Sequence, residues 1–521
     1  LAEPVRREWA PWARGWTPVL LFVLGISLVR LVYMIWLSPY TLAEDEAHYW
    51  EWSRHLDWSY YSKGPGVSWA IALSTGIFGD SEWAVRLPAI VAAAVGSLAS
   101  ALTARTVFAD KRSGWVAAVL YQCVPPFSLL GFLMTIDGPF LAAWAVACTA
   151  AVKAARTRAP RWLIAVGLAL AVGFLFKYTI VLLAGGLIIA AVWGRRTVRF
   201  PAWAWVAAIL AFALGLVPVI IWNAGEDWVT VRHLLGHLGV KGGDMPATQG
   251  EGGWHYSPLW TLTYMGMLLL AGPPLLLGVY SAVKNRGSDV GVGVLTAASV
   301  PVLVFYLLVT FVAEAEGNWA LGGFVGLVPL AAGVIPRALD RRFIPLRAGW
   351  RLSIVAGVCT LVALPMAPVL ARVPTVGQLI PVHRLSGMRT LASGAEARLE
   401  ELKAQTGREP FLMADHYGRA SQLAFYVEGQ PTVYAAGSMT RSGRRSQYDL
   451  WPETDLRNHE TIERLNGRPA LLFGADQAFW RSAFETVEEI PALAGEPKRG
   501  IKTFLATGFR GFPEAEQRGA P

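Results

Sequence analysis

The 521-residue chain is poor in cysteine, in charge and in the glycine signatures of soluble nucleotide enzymes. Its three cysteines, Cys123, Cys148 and Cys359, lie in apolar runs without C-x-x-C spacing. That argues against a disulfide framework or a thiolate metal site and leaves small buried hydrophobes. Only 16% of residues are charged and 54% are hydrophobic, whereas a soluble domain carries about 25% charged residues. The deficit excludes one large soluble core and points to many membrane spans. A net charge of +9 would suggest nucleic acid in a soluble protein, but no basic stripe lies on a polar surface, so no nucleic-acid partner is expected. Phosphate loop, Rossmann fingerprint, nucleophile elbow, tandem repeat and low-complexity tract are all missing. No cleavage site follows the first apolar run, so it reads as a retained helix; the chain begins at Leu1 rather than Met, leaving room for residues upstream.

What is present is a series of about eleven apolar segments, at 19–37, 83–108, 114–133, 139–152, 162–176, 180–193, 203–222, 259–283, 292–312, 320–335 and 352–370. Residues 69–78 are apolar but only half a span long, and read as an interfacial or re-entrant piece. Arg6, Arg7 and Arg14 precede the first span, and alternate loops are rich in Lys and Arg. The positive-inside rule then places the amino terminus in the cytoplasm and loops 39–82 and 223–257 outside. The expected location is the inner (plasma) membrane, multi-pass. From about Pro374 the long apolar blocks give way to charged residues and short alternating runs. The fold class expected is a polytopic α-helical membrane domain over 1–373, followed by a soluble α/β domain over 374–521 on the extracytoplasmic side. Strands are expected at 411–414, 423–427, 432–434 and 470–473, and helices at 395–406 and 460–465.

One stretch, residues 41–67, organises the rest. Glu44, Asp45, Glu46, Glu51 and Asp57 crowd between two apolar regions, with His48, Tyr49, Trp50, Trp52 and Tyr61 among them and Lys63-Gly-Pro-Gly66 closing the loop. Acids this close to a membrane core are costly unless they face water, a partner or a substrate. A helix cap or a solvated loop accounts for any one acid, though less well for the cluster. A carboxylate base beside a phosphate-binding lysine and sugar-stacking aromatics is what glycosyl transfer needs. On the same expected face lie Asp137, flanked by Thr135 and Pro139, and the Lys177-Tyr178 turn between two short spans. Their bland readings are a capping acid and a snorkelling lysine. A further outer cluster, Glu316, Asn318 and Trp319, suits sugar hydroxyls and stacking. His233 and His237 have the i, i+4 spacing of a metal pair but lack the H-E-x-x-H glutamate. No cofactor is assigned, and only carboxylates and scattered histidines are available for a divalent metal.

Asp45-Glu46-x-His48-Tyr49, Lys63-Gly-Pro65, Glu82-x-x-x-Arg86-Leu-Pro88 and Thr135-x-Asp137-x-Pro139 together resemble the GT-C superfamily of integral-membrane glycosyltransferases. Within it the chain is similar to protein O-mannosyltransferases and the lipid A aminoarabinose transferases, best over residues 40–180. The resemblance implies a polyprenyl-monophosphate-linked sugar as donor, and transfer to a lipid, glycan or protein acceptor on the outer face with inversion. It implies Asp45 as base with Glu46 in support, Lys63 and Lys177 on the donor phosphate, and Asp137 orienting sugar or acceptor. The carboxy-terminal domain, with Tyr417, Arg419, Gln422 and Arg444-Arg445, would cover the site and select the acceptor. Two other classes compete. A flippase of a lipid-linked saccharide explains the spans but not the crowded loop. A binding module on a membrane anchor leaves most spans without a purpose.

Overall fold

The computed structural model describes residues 8–194, 198–237, 243–244, 256–285, 287, 289–370, 373, 385–440, 443–495 and 501–513. Residue 374, on the far side of the boundary expected at 373/374, and residues 238–242 and 245–255 of the loop expected at 223–257 fall outside these residues.

Among them, seven helices are long and apolar enough to cross a membrane: Thr17–Leu37, Glu82–Val107, Asp137–Thr157, Ala202–Gly225, Val290–Val309, Trp319–Asp340 and Ile344–Leu370. The other apolar segments are shorter or broken. Pro125 and Pro126 interrupt the segment at 114–133 and split it into Arg112–Cys123 and Pro125–Leu129, because a proline lacks the amide that would continue the helix. Asp137–Thr157 and Trp319–Asp340 have 78% and 83% of their apolar window buried, against 22% for Thr17–Leu37 and 17% for Ile344–Leu370. The first two are therefore the bundle's interior, and the last two present Leu21, Leu24, Val355 and Val362 outward, as lipid-facing helices do. At one end of the bundle Arg112 is clamped between Asp110 (2.7 Å) and Asp340 (2.6 Å). The candidate site lies at the other end.

Residues 41–81 fold as two helices, Glu44–Arg54 and Gly66–Phe78, joined by a turn that carries Lys63. The apolar piece at 69–78 belongs to the second. Beyond the spans, a five-stranded sheet is built from β1 (Phe411–Ala414), β2 (Val433–Ala435), β3 (Ala470–Phe473), β4 (Phe484–Ile490) and β5 (Thr503–Phe509), in the order β2-β1-β3-β5-β4. β1 runs parallel to β2 and β3, while β5 is antiparallel to β3 and β4. Alternation of side chains divides the sheet into two faces. Phe411 and Met413 join Trp480, Phe484 and Phe504 on one. Leu412, Ala414 and Leu471 on the other pack in a single core with Leu391, Leu423 and the loop-helix residues Trp50 and Trp52.

One expected strand is not there. Residues 423–427 lie mostly in the helix Tyr417–Tyr426, whose cap His416 accepts a hydrogen bond from the Gly418 amide. Ala420, Leu423 and Ala424 recur at helical spacing and are fully buried, so a 3.6-residue period overrides the local β-propensity of Phe425-Tyr426-Val427. This helix packs against Glu44–Arg54, where the Leu42 amide donates to Tyr426 Oη (2.6 Å) and Gln422 Nε2 donates to Leu42 O (2.9 Å).

Candidate active site

The helix Glu44–Arg54 begins with three acids, which complement its positive amino-terminal end. Successive residues on a helix point about 100° apart, so Asp45 and Glu46 face different surroundings. Glu46 is buried. Its carboxylate takes two hydrogen bonds from Arg86, Nε to Oε1 at 2.9 Å and Nη2 to Oε2 at 2.7 Å. It also accepts from the amides of Ala43 (3.0 Å) and Met134 (2.9 Å). Arg86 donates further to the carbonyl of Thr41 (2.8 Å). Every lone pair is used, and Glu46 does not reach the cavity beside it.

Asp45 does. A cavity of about 550 Å³ opens between the spans and the sheet domain, lined by Asp45, His48, Tyr49, Tyr61, Lys63, Lys177, Tyr178, Glu316 and Trp319 among others. The sheet domain contributes Tyr417, Arg444, Arg445 and Gln447 to its wall. Tyr417 Oη donates to Asp45 Oδ1 at 3.4 Å. Enclosure by protein raises the Asp45 carboxyl above its ordinary value, offset in part by Lys63 and Tyr417. Lys63 Nζ has no hydrogen-bond or ion-pair partner among the described residues. Burial, then the charge of Lys177, lowers its pKa, while Asp137, Glu316 and Asp45 raise it.

Lys177 is held from behind. Asp137 Oδ1 accepts from its Nζ at 2.7 Å, and Asp137 Oδ2 accepts from Asn318 Nδ2 at 2.9 Å. Asp137 and Asn318 thus stand behind the cavity wall, and Lys177 is the member of this group that faces in. The helix break at Phe176 places it there: Lys177 is extended between Pro160–Phe176 and the 3₁₀ turn Tyr178–Ile180. Trp319 Nε1 donates to Glu316 Oε2 at 3.2 Å, fixing the indole at the rim.

His48 is a neutral wall residue. Trp52 Nε1 can only donate, so His48 Nε2 (3.1 Å) accepts; that assigns the ring proton to Nδ1, which donates to Ser421 Oγ at 3.0 Å. Burial lowers its pKa to about 3. The glycines of Lys63-Gly-Pro-Gly66 serve a close approach, but to protein. A Cβ on Gly64 would sit 2.3 Å from the Leu175 carbonyl oxygen. The turn is therefore pressed onto the end of the helix that delivers Lys177, which couples the two lysines sterically. Among the described residues no group of three or more His, Cys, Asp or Glu could hold a metal ion. His233 instead faces Tyr61 and Asp244, with Nδ1 3.3 Å from Asp244 Oδ2.

Residues 62–222 match the family model described as dolichyl-phosphate-mannose-protein mannosyltransferase. The chain is 28% identical over 365 residues to lipid A galacturonosyltransferase RgtD of Rhizobium johnstonii, covering 67% of this chain and 71% of that one. It is 27% identical over 226 residues to an undecaprenyl phosphate-alpha-4-amino-4-deoxy-L-arabinose arabinosyl transferase of Proteus mirabilis, covering 41% and 40%. The crystal structure of ArnT from Cupriavidus metallidurans bound to undecaprenyl phosphate superposes with a TM-score of 0.63 at 16% identity, over 94% of this chain and 98% of that one. The chain has a GT-C type fold and is a membrane glycosyltransferase.

The glycosyltransferase's cavity thus gathers Asp45, Lys63, Lys177, His48, Tyr49, Tyr61, Tyr178, Glu316 and Trp319, and leaves Glu46, Asp137 and Asn318 in its supports. Tyr417, Arg444 and Arg445, expected only as part of a covering domain, line the cavity themselves. Their signal in the sequence was slight: isolated polar residues about 370 and 400 positions from Asp45, with no shared spacing.

Proposed function

We propose that this enzyme transfers a sugar from a polyprenyl-monophosphate donor to a hydroxyl of a lipid acceptor, with the cavity open to the extracytoplasmic side of the inner membrane. The observation that carries the reading is the presence of Asp45, Lys63 and Lys177 in one cavity at the capped end of the bundle. Asp45 removes the acceptor proton as the acceptor oxygen attacks the anomeric carbon. The bond from that carbon to the phosphate oxygen breaks, and the polyprenyl phosphate leaves with one more negative charge than it had as a diester. Lys63 and Lys177 stabilise that added charge. A single displacement of this kind inverts the anomeric configuration.

Three features support these roles. Enclosure raises the Asp45 carboxyl, offset in part by Lys63, which makes it a stronger base than a solvated aspartate. Asp137 holds the Lys177 ammonium at 2.7 Å and aims it into the cavity. Tyr49, Tyr178 and Trp319 supply flat apolar surfaces for a sugar ring. The family resemblance and ArnT's bound undecaprenyl phosphate support the donor class. The boundary of the membrane domain is proposed to fall near residue 373, since Ile344–Leu370 is the final apolar helix before the sheet domain among the described residues.

The test is reconstitution of the full chain in lipid vesicles with a polyprenyl-phosphate sugar labelled in the sugar. Label appearing covalently on an acceptor glycolipid supports the reading. Label crossing the bilayer while remaining on the polyprenyl phosphate identifies a flippase and overturns it.

A further inference from the structure

Residues 57–65, which carry Lys63, lie outside helix and strand, so the buried amides and carbonyls of this turn need partners from elsewhere. Within the turn, the Tyr60 amide donates to Lys63 O at 3.0 Å. From the spans, Tyr178 Oη lies 3.1 Å from Ser59 Oγ, which donates to Lys63 O at 3.4 Å. From the helix Val229–His237, Thr230 Oγ1 donates to Tyr60 O at 3.1 Å. From the sheet domain, Gln447 Oε1 accepts from the Tyr61 amide at 2.7 Å. Among the described residues this is the one hydrogen bond that the sheet domain makes to residues 57–65.

That bond is buried and firmly backed. Gln447 and Tyr61 are each 2% exposed. Gln447 opens the 3₁₀ turn Gln447–Asp449, whose cap Ser446 gives its amide (2.7 Å) and its hydroxyl (3.3 Å) to Asp449 Oδ2. Asp449 Oδ1 accepts from Arg457 Nη1 at 2.8 Å and from Ser438 Oγ. The sheet domain thus presents Gln447 from a fixed platform. An amide can only donate, so Oε1 faces Tyr61 and Nε2 points away from it. Nε2 has no hydrogen-bond partner among the described residues, and the side chain lines the cavity.

The bond from Tyr60 to Lys63 closes the residues between them into one turn. Displacing the Tyr61 amide therefore displaces the Lys63 backbone. A lysine is a point charge on a flexible four-carbon stem, so the seat of its backbone decides which phosphate it can reach. The Leu175 backbone and Tyr178 hold the turn on the side of Lys177. Gln447 holds it on the side of the sheet domain.

We propose that Gln447 is a positioning residue for the donor phosphate: by holding the Tyr61 amide, it sets where Lys63 meets that group. This rests on the assignment of Lys63 and Lys177 to the donor phosphate. The sheet domain is then part of the donor site, although its contribution passes through the backbone of another segment.

The experiment measures binding of undecaprenyl phosphate to the full chain in lipid nanodiscs, with a thermal midpoint for each protein. Wild type is compared with Gln447→Leu, Lys63→Gln and the two combined. Leucine fills much of the glutamine volume and offers no acceptor to the Tyr61 amide. Gln447→Asn, which draws the amide back by one methylene, is made in parallel, so a misfolded leucine variant does not end the test. Lys177 is retained in every form and keeps the weakest binding measurable. Gln447→Leu is expected to bind undecaprenyl phosphate about tenfold more weakly, mid-range for coupled residues of one hydrogen-bond network. In the Lys63→Gln background the same substitution should cost nothing further. Equal binding by wild type and Gln447→Leu, or a lowered midpoint with affinity unchanged, overturns the proposal and leaves Gln447 a purely structural contact. A full tenfold loss that persists in the Lys63→Gln background also overturns it, because Gln447 then acts on the phosphate without Lys63. If Lys63→Gln alone binds as wild type does, the donor site itself falls, an outcome distinct from the failure of Gln447.

Discussion

Asp45 and Glu46 are adjacent in the chain and have opposite fates. Glu46 is saturated with four hydrogen bonds and locked to Arg86. Asp45 has one long contact from Tyr417 and an open cavity in front of it. The same comparison holds for the paired Asp137 and the unpaired Lys63. Groups whose partners are all protein hold the fold together. Groups left short of a partner face the space a substrate would fill.

Substitutions that exchange these two conditions should separate activity from stability. Asp45→Asn should lower the rate of transfer by about 10²–10⁴-fold, the contribution of a positioned base, with the thermal midpoint unchanged; a radiolabelled transfer assay and an unfolding scan read both. Glu46→Ala should do the reverse. It strands the Arg86 charge in a buried site at a cost of about 3–5 kcal/mol, so loss of folded protein after detergent extraction is expected before any kinetic effect is measurable. Gly64→Ala sharpens the link between the lysines. The new methyl must displace the Leu175 backbone, for a loss of about 1–3 kcal/mol, and a weaker donor affinity should accompany it.

The smallest effect concerns pH. Burial raises the Glu51 carboxyl to about 7, with Arg54 pulling it down and Glu453 pushing it up. Its folded-state pKa exceeds its ordinary 4.5, so the folded protein binds the extra proton in this window and stability falls as pH rises from about 4.5 to 7. Glu51→Gln should therefore stabilise the protein above pH 7, by about 1–2 kcal/mol after allowance for the lost Arg54 contact, and change little at pH 5. Thermal scans at the two pH values check it. For Asp45 the sign differs in its consequence: the ionised form is the active one, so transfer should fall with decreasing pH, with an inflection above the ordinary aspartate value.

Much of this arrangement was legible in the sequence. Charges wedged between apolar runs are costly in a membrane protein, and that cost singles out Asp45, Lys63, Asp137 and Lys177 in the sequence itself. Which member of the acidic pair faces the cavity followed only from the family resemblance, which implied Asp45 as base, and not from composition or spacing. It depends on the rotation of the helix Glu44–Arg54, and that is set by Arg86 and Met134 from distant parts of the chain. The glycines of residues 63–66 serve a close approach to the Leu175 backbone, a partner that local spacing does not reveal. In the sheet domain β1 and β3 were visible as short apolar runs. β4 and β5 were not: β4 buries only Phe484 and Val487, three apart, with Glu485, Glu488 and Glu489 exposed, and β5 carries Gly508 in its interior. Arg444 and Arg445 reach the cavity only through the tertiary packing of the sheet domain on the loop helices.

The most direct test of the central claim is to locate the donor phosphate. A photoreactive undecaprenyl phosphate analogue, with the reactive group near the phosphate, is cross-linked to the full chain in nanodiscs and the adducts are mapped by mass spectrometry. The account predicts adducts on the peptides bearing Lys63 and Lys177, displaced by excess undecaprenyl phosphate and lost in Lys63→Gln. Adducts concentrated near Arg112 and Asp340 at the opposite end of the bundle, or unaffected by Lys63→Gln, would contradict it.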